Sequence, residues 1–187
     1  MKLKAKGVKF IIKCLFVPVE DISVSLIKHN IIDAIVIKSN KGAGKVHTSD
    51  IPIFRLVRKA KHLYPNIHII ASGGIANSED IQGCLKAGAT AVGLGTVFAM
   101  SKECRISLES KARVLANKNI VSIDAVGLPQ NGIVFEKHEG WDNENNSKAL
   151  EKGVEGKGGH LLIGHAIHQI NEILSVEEIV KKLVPEG

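Results

Sequence analysis

The sequence predicts an α/β fold: a TIM-type (β/α) barrel that is incomplete, with about four βα units. Three observations lead there. Short apolar runs alternate with stretches of helical periodicity, the pattern of a parallel sheet built from βα units. The chain holds 18 glycines but only five phenylalanines, one tyrosine and one tryptophan, which suits many tight βα turns. Two consecutive apolar runs also stop at small residues, one at Ser72-Gly73-Gly74 and the next at Gly95-Thr96. Both strand ends leave backbone N–H groups uncovered. In a barrel of this type the loops after the last two strands commonly hold a phosphate. Such a phosphate belongs to a nucleotide, a flavin or a phosphorylated sugar.

The elements follow in order. Val8–Cys14 reads as the first strand, and a helix follows from about Val19 to His29 with Pro18 at its entry. Ala34–Lys38 is the second strand. A glycine-rich loop, Ser39–Ser49, leads to a helix over Ile51–Leu63 with Pro52 in its first turn. Tyr64-Pro65-Asn66 stops it, and Ile67–Ala71 is the third strand. Ser78–Ala87 is helical, with Gly88 as its left-handed stop. Thr90–Leu94 is the fourth strand, and a longer helix covers Lys102–Asn117. Ile120–Val126 is one more strand or a plain connector. Residues 131–160, rich in Gly, Asn, Lys and Glu, read as a polar excursion or lid, partly disordered, with Trp141 as its possible anchor. Leu161–Ile167 is apolar, and Val176–Leu183 forms a terminal helix.

A closed barrel needs eight strands and about 250 residues. Four units leave two open parallel edges and an uncovered core, which is unfavourable in water. The expectation is a truncated barrel that associates, either as a homo-oligomer or with a missing N-terminal barrel half. No apolar stretch reaches the roughly 18 residues of a membrane helix. The opening MKLKAKGVKFIIKCLF reads as a strand rather than a signal peptide, which expects a cytoplasmic or organelle-matrix protein. Cys14, Cys84 and Cys104 are odd in number and fit no metal spacing, so they read as reduced thiols. His160, His165 and His168 have no cysteine or carboxylate to complete a metal set. The net charge of +6 is scattered and not interleaved with aromatics, which speaks against nucleic acid.

The segments GVKFIIKC, DAIVIKSNKGAGKVH and IIASGGIANSEDIQGCLKAGATAVGLGTVFAMSKEC resemble the nitronate monooxygenases, formerly called 2-nitropropane dioxygenases. These are flavin-dependent barrel enzymes related to bacterial enoyl reductases. The resemblance runs over roughly residues 7–117 and resumes at 164–184. It implies FMN in the C-terminal mouth of the barrel. Gly44, Ser72, Gly73, Gly74, Gly93, Leu94, Gly95 and Thr96 would form the cofactor side. The phosphate would rest on the N–H groups of Gly73, Gly74, Gly95 and Thr96, with the Thr96 hydroxyl as a further donor. The implied chemistry passes electrons from an alkyl nitronate to FMN and then oxidises the substrate with oxygen.

Two positions depart from the family pattern. Ile12 and Lys45 stand where the resemblance expects histidines. Isoleucine takes no proton, and lysine is a poor base near neutrality but a good partner for an anion. Lys45 and His47 are therefore the candidate catalytic residues, and His165 is a candidate cofactor contact. The alternative is a catalytically inactive truncated barrel that acts as a binding or assembly module.

Overall fold

The computed structural model describes residues 4–14, 31–46, 50–125, 128–136 and 143–184. Its centre is a parallel sheet of four strands, β1 (Ile11–Cys14), β2 (Ala34–Lys38), β4 (His68–Ser72) and β5 (Ala91–Gly93), in the order β1-β2-β4-β5. The expected four βα strands are thus neighbours in chain order. The first is shorter than expected, because the Phe10 N–H bonds the Asp33 carboxylate at 2.8 Å instead of a strand. The helix expected at 19–29 lies outside the described residues.

Residues opposite one another form rows across the sheet. Ile35 pairs with Ile69, and Ile37 with Ala71, while Lys38, Ser72 and Gly93 share the last row at the C-terminal end. Ile35, Ile37, Ile69 and Ala71 are buried against two helices, α1 (Ile53–Leu63) and α2 (Ser78–Lys86). On α1 the buried residues are Ile53, Leu56, Val57 and Ala60, one helical stripe. Each fully buried aliphatic side chain there contributes about 1.5–3 kcal/mol. The Asn77 side chain caps α2 by accepting the Asp80 N–H at 2.7 Å, and Asp80 in turn accepts the Ala76 N–H at 2.9 Å.

Beyond β5 the expectations need correction. Lys102–Asn117 is not one helix. A single turn, α3 (Thr96–Ala99), precedes an irregular stretch, and α4 (Leu108–Ala116) begins only where Ser107 caps it by accepting the Ser110 N–H. The buried Lys111 ammonium donates to the carbonyls of Ser101 (2.6 Å) and Cys104 (2.8 Å), which folds that stretch back as a loop.

The polar excursion is likewise structured. Here β3 (Gly44–Lys45), β7 (Leu128–Val134) and β6 (Val121–Ala125) make an antiparallel sheet, with β8 (His160–Leu161) on the other side of β7. Helix α5 (Asn143–Glu155) covers it, so the described part of 131–160 is strand and helix rather than a loose lid. Trp141 lies outside the described residues. A second core, including Met100, Val114, Ile133, Leu161, Ile163 and Ile167, holds this unit together. The chain ends in a 3-10 turn over His165–Gln169 and in α6 (Val176–Leu183), which starts with a Ser175/Glu178 capping box. Among the described residues no helix is long and apolar enough to cross a membrane.

Candidate functional site

The C-terminal ends of β2, β4 and β5 open into one concave site of about 280 Å³. Seven of the residues expected on the cofactor side line it: Ser72, Gly73 and Gly74 after β4, and Gly93, Leu94, Gly95 and Thr96 after β5. Lys13, Lys38, Gly42, Ala43, Ile75 and Ala166 complete the wall. Among the described residues no carboxylate lines it, and the two lysines give the mouth a positive field.

The two turns are built differently. Gly73 and Gly74 both have positive φ, 94° and 78°, a conformation open to glycine and costly for other residues. They sit under the 39–43 loop, where the Ser39 hydroxyl donates to the Gly73 carbonyl at 2.9 Å and the Ser39 N–H donates to the Ser72 carbonyl at 3.0 Å. Gly95 has φ −120° and lies at the start of α3 with no side-chain cap. A methyl group placed on Gly95 would touch nothing within 4 Å. The absence of a side chain there leaves open room at the mouth.

Among the described residues no acceptor takes the N–H groups of Gly73, Gly74, Gly95 or Thr96. At the start of α2 the Asn77 side chain accepts the Asp80 N–H and the Asp80 carboxylate accepts the Ala76 N–H. Thr96 is buried, and its Oγ1 accepts the Gly164 N–H at 2.9 Å. That bond uses a lone pair, so the hydroxyl proton is still available to donate.

The other singled-out residues are placed as follows. Gly44 is buried with φ 62°, pairs with Asn131 of β7 and does not line the mouth; Gly42 and Ala43 do. Lys45 is exposed on β3 and does not line the mouth either. His47 lies outside the described residues. Ile12 is partly buried and packs against the sheet's helix-facing core. His165 borders a separate hollow beside Lys41, Asp50 and Gly73, 5.6 Å from the His168 ring; burial first, then the Lys41 charge, lower its pKa. Burial raises the Cys84 thiol to about 11, which makes it a core residue rather than a nucleophile. Among the described residues no group of three or more metal-ligating side chains stands together.

Sequence reasoning missed Lys38. Its side chain is buried, and its ammonium donates to the carbonyls of Ala43 and, at 2.8 Å, of Lys45. Burial and then the nearby Lys13 charge pull it down to about 8. A charged residue closing the apolar run AIVIK, just before a glycine loop, was the available signal.

The fold is an α/β parallel sheet of the TIM-barrel type, with the turns after β4 and β5 and the lysines Lys13 and Lys38 facing one mouth. The sequence pattern described as "Nitronate monooxygenase" matches residues 19–186, and the chain belongs to that family. The fold is similar to FabK from Thermotoga maritima, with 24% identity and a TM-score of 0.75 over 97% of this chain and 61% of that one. It is also similar to nitroalkane oxidase from Streptomyces ansochromogenes, with 18% identity and a TM-score of 0.75 over 97% of this chain and 58% of that one. The chain thus spans about three-fifths of the length of these structures.

Proposed function

We propose that this chain binds FMN by its phosphate and serves a flavin-dependent oxidoreductase that oxidises alkyl nitronates. The observation that carries the reading is the convergence of two consecutive strand ends, with free N–H groups at Gly73, Gly74, Gly95 and Thr96, on one cationic concavity. The residues fit the group. A dianionic phosphate needs several donors and no competing carboxylate, and the open space over Gly95 leaves room for it. The volume of about 280 Å³ is at the lower end for ligand sites, enough for a phosphate and its sugar-alcohol arm rather than a whole flavin.

Bound FMN would supply the electron-transfer chemistry, and the chain's residues would orient it. The turn amides fix the phosphate, and Lys38 and Lys13 balance its charge. Among the described residues that line the mouth, Lys13 and Lys38 are the charged side chains. A lysine that remains largely protonated at neutral pH attracts an anion better than it removes a proton from carbon. The site therefore suits a preformed nitronate anion better than a neutral nitroalkane. The second reading, a binding module without turnover, draws on Ile12 against the core and on Lys45 outside the mouth.

Titration of FMN fluorescence tests the binding step. Saturable quenching at micromolar protein is expected, and its absence defeats the reading. Oxygen uptake with propionate-3-nitronate, but not with 3-nitropropionate held below its carbon pKa, is the expected activity. Binding without any uptake selects the module.

A further inference from the structure

We propose that Lys38 is a nucleophile that forms a reversible imine with a small phosphorylated aldehyde or ketone whose phosphate rests on the turns after β4 and β5. This deepens the proposed function by its anion-binding half alone: it rests on those turns holding a phosphate, and not on the phosphate being that of a flavin. Lys38 ends β2, where it pairs with Ser72 of β4 in the row that reaches Gly93 of β5. Neighbouring strands lie about 5 Å apart, so the two turns stand about 5 and about 10 Å from the Lys38 backbone. A carbonyl carbon a few bonds from a phosphorus seated there comes within reach of the lysine's four-carbon stem. The side chain lines the mouth although it is buried. Its stem passes beside Gly42, where an added methyl group would meet Lys38 Cγ at 3.3 Å. Its ammonium donates to the carbonyls of Ala43 and, at 2.8 Å, of Lys45.

Lys111 shows what a purely structural lysine looks like in this chain. It too is buried and donates to two carbonyls, those of Ser101 and Cys104, but it lines neither the mouth nor the hollow beside His165. Lys38 makes the same kind of bonds at the wall of a cavity, and Lys13 shares that wall. Removal from water and a neighbouring cation are the two conditions that leave a lysine amine neutral enough to attack a carbonyl. Both act on Lys38, burial first and then the Lys13 charge, and bring it to about 8. Roughly a tenth of such an amine is neutral at pH 7, against about three parts in ten thousand at the ordinary 10.5. Among the described residues no carboxylate lines the mouth to hold it protonated.

The step needs no oxidant or reductant. The amine lone pair becomes a new C–N bond to the carbonyl carbon as the C=O π pair moves to oxygen. A proton passes from nitrogen to that oxygen through water, which gives a carbinolamine. The nitrogen lone pair then expels the hydroxyl, which takes a proton and leaves as water. Loss of the N–H proton from the resulting iminium returns that proton, so amine plus carbonyl become imine plus water. Until it reacts, the neutral amine keeps two N–H groups for the Ala43 and Lys45 carbonyls.

Pyridoxal phosphate is the probe, because its imine absorbs visible light and borohydride fixes it for peptide mapping. The flavin-free full-length chain is expected to take up one equivalent, on Lys38, with exposed Lys13 and buried Lys111 unlabelled. Pyridoxal without its phosphate, or pyridoxal phosphate under excess inorganic phosphate, is expected to react at least about tenfold more weakly. Lys38→Arg keeps a cation for the loop carbonyls and cannot form the imine, and Lys38→Met removes both; each is expected to lose the adduct while circular dichroism reports its fold. The mapping of the parent chain decides even if both variants unfold. Label spread over surface lysines, label on Lys13, no label, or uptake indifferent to the phosphate overturns the proposal. A chain that quenches FMN normally and forms no imine keeps the flavin reading and loses this one. A phosphate-dependent imine on a chain that ignores FMN does the reverse.

Discussion

The turn after β4 and the turn after β5 look alike in sequence and differ in physics. Gly73 and Gly74 are glycines because the backbone requires it. Both have positive φ, and an added methyl would stand 2.9 Å from the Ser39 hydroxyl at Gly73 and 2.8 Å from Lys41 Cβ at Gly74. Gly95 has neither constraint. Its φ is −120°, and an added methyl meets nothing. One turn is thus held to glycine by the fold, and the other is not. The sharpest way to break this contrast is a pair of alanine variants. Gly73→Ala combines left-handed strain of about 1–2 kcal/mol with crowding worth about 1–3 kcal/mol, so a loss near 3 kcal/mol is expected in urea unfolding. Gly95→Ala should stay within about 0.5 kcal/mol of the parent. Equal losses would erase the distinction.

Thr96 sits between the two cases. Thr96→Val keeps the shape but leaves the Gly164 N–H without its 2.9 Å partner in a buried setting, at a cost of about 1–3 kcal/mol. Thr96→Ser should restore most of that, read by the same unfolding curves. The next test reverses the readout. Gly95→Val should leave the unfolding midpoint unchanged and fill the open mouth, weakening FMN at least tenfold, which is about 1.4 kcal/mol. A Gly95→Val protein that binds FMN normally places the phosphate elsewhere.

The parallel half of the fold was legible because its signals are local. Apolar runs, the Asn77 cap and the glycine turns each declare themselves within a few residues. The antiparallel half hides its logic in distant partners. The β7 sequence LPQNGIV straddles the start of the expected polar excursion at 131, yet Gln130 and Asn131 are buried. Asn131 Nδ2 donates to the carbonyls of Asn40 (2.6 Å) and Gly42 (2.9 Å), some ninety residues earlier. The stretch that reads as a lid therefore braces the loop that walls the mouth. Gly153 and Gly159 look like spacer glycines, but they are where α5 crosses β8 and meets the His160 and Ala149 carbonyls at close range. In the candidate site, the strand-end pattern pointed to Ser72, Gly73, Gly74, Gly95 and Thr96, and the family resemblance added Gly93 and Leu94. Neither pointed to Lys38, because a lysine at a strand end looks solvated until the Ala43 and Lys45 carbonyls fold over it.

Lys38 also gives the smallest and most diagnostic effect, since it joins the fold and the mouth in one group. Its folded-state value of about 8 lies below the ordinary 10.5, so the folded chain releases a proton that the unfolded chain keeps between those values. Stability therefore rises as pH climbs from about 8 to about 10.5. Affinity for FMN moves the other way, because the same titration removes a cation from the phosphate site. The second phosphate ionisation, near 6, is already complete in this window. A partly solvated charge pair is worth about 1 kcal/mol, so a loss of roughly fivefold in affinity is expected across the rise. The variant Lys38→Met isolates the effect: the difference between parent and variant should grow with pH in the urea curves and shrink in the FMN titrations. If both quantities move in the same direction, Lys38 supports the loop alone and the turn amides hold the anion without it.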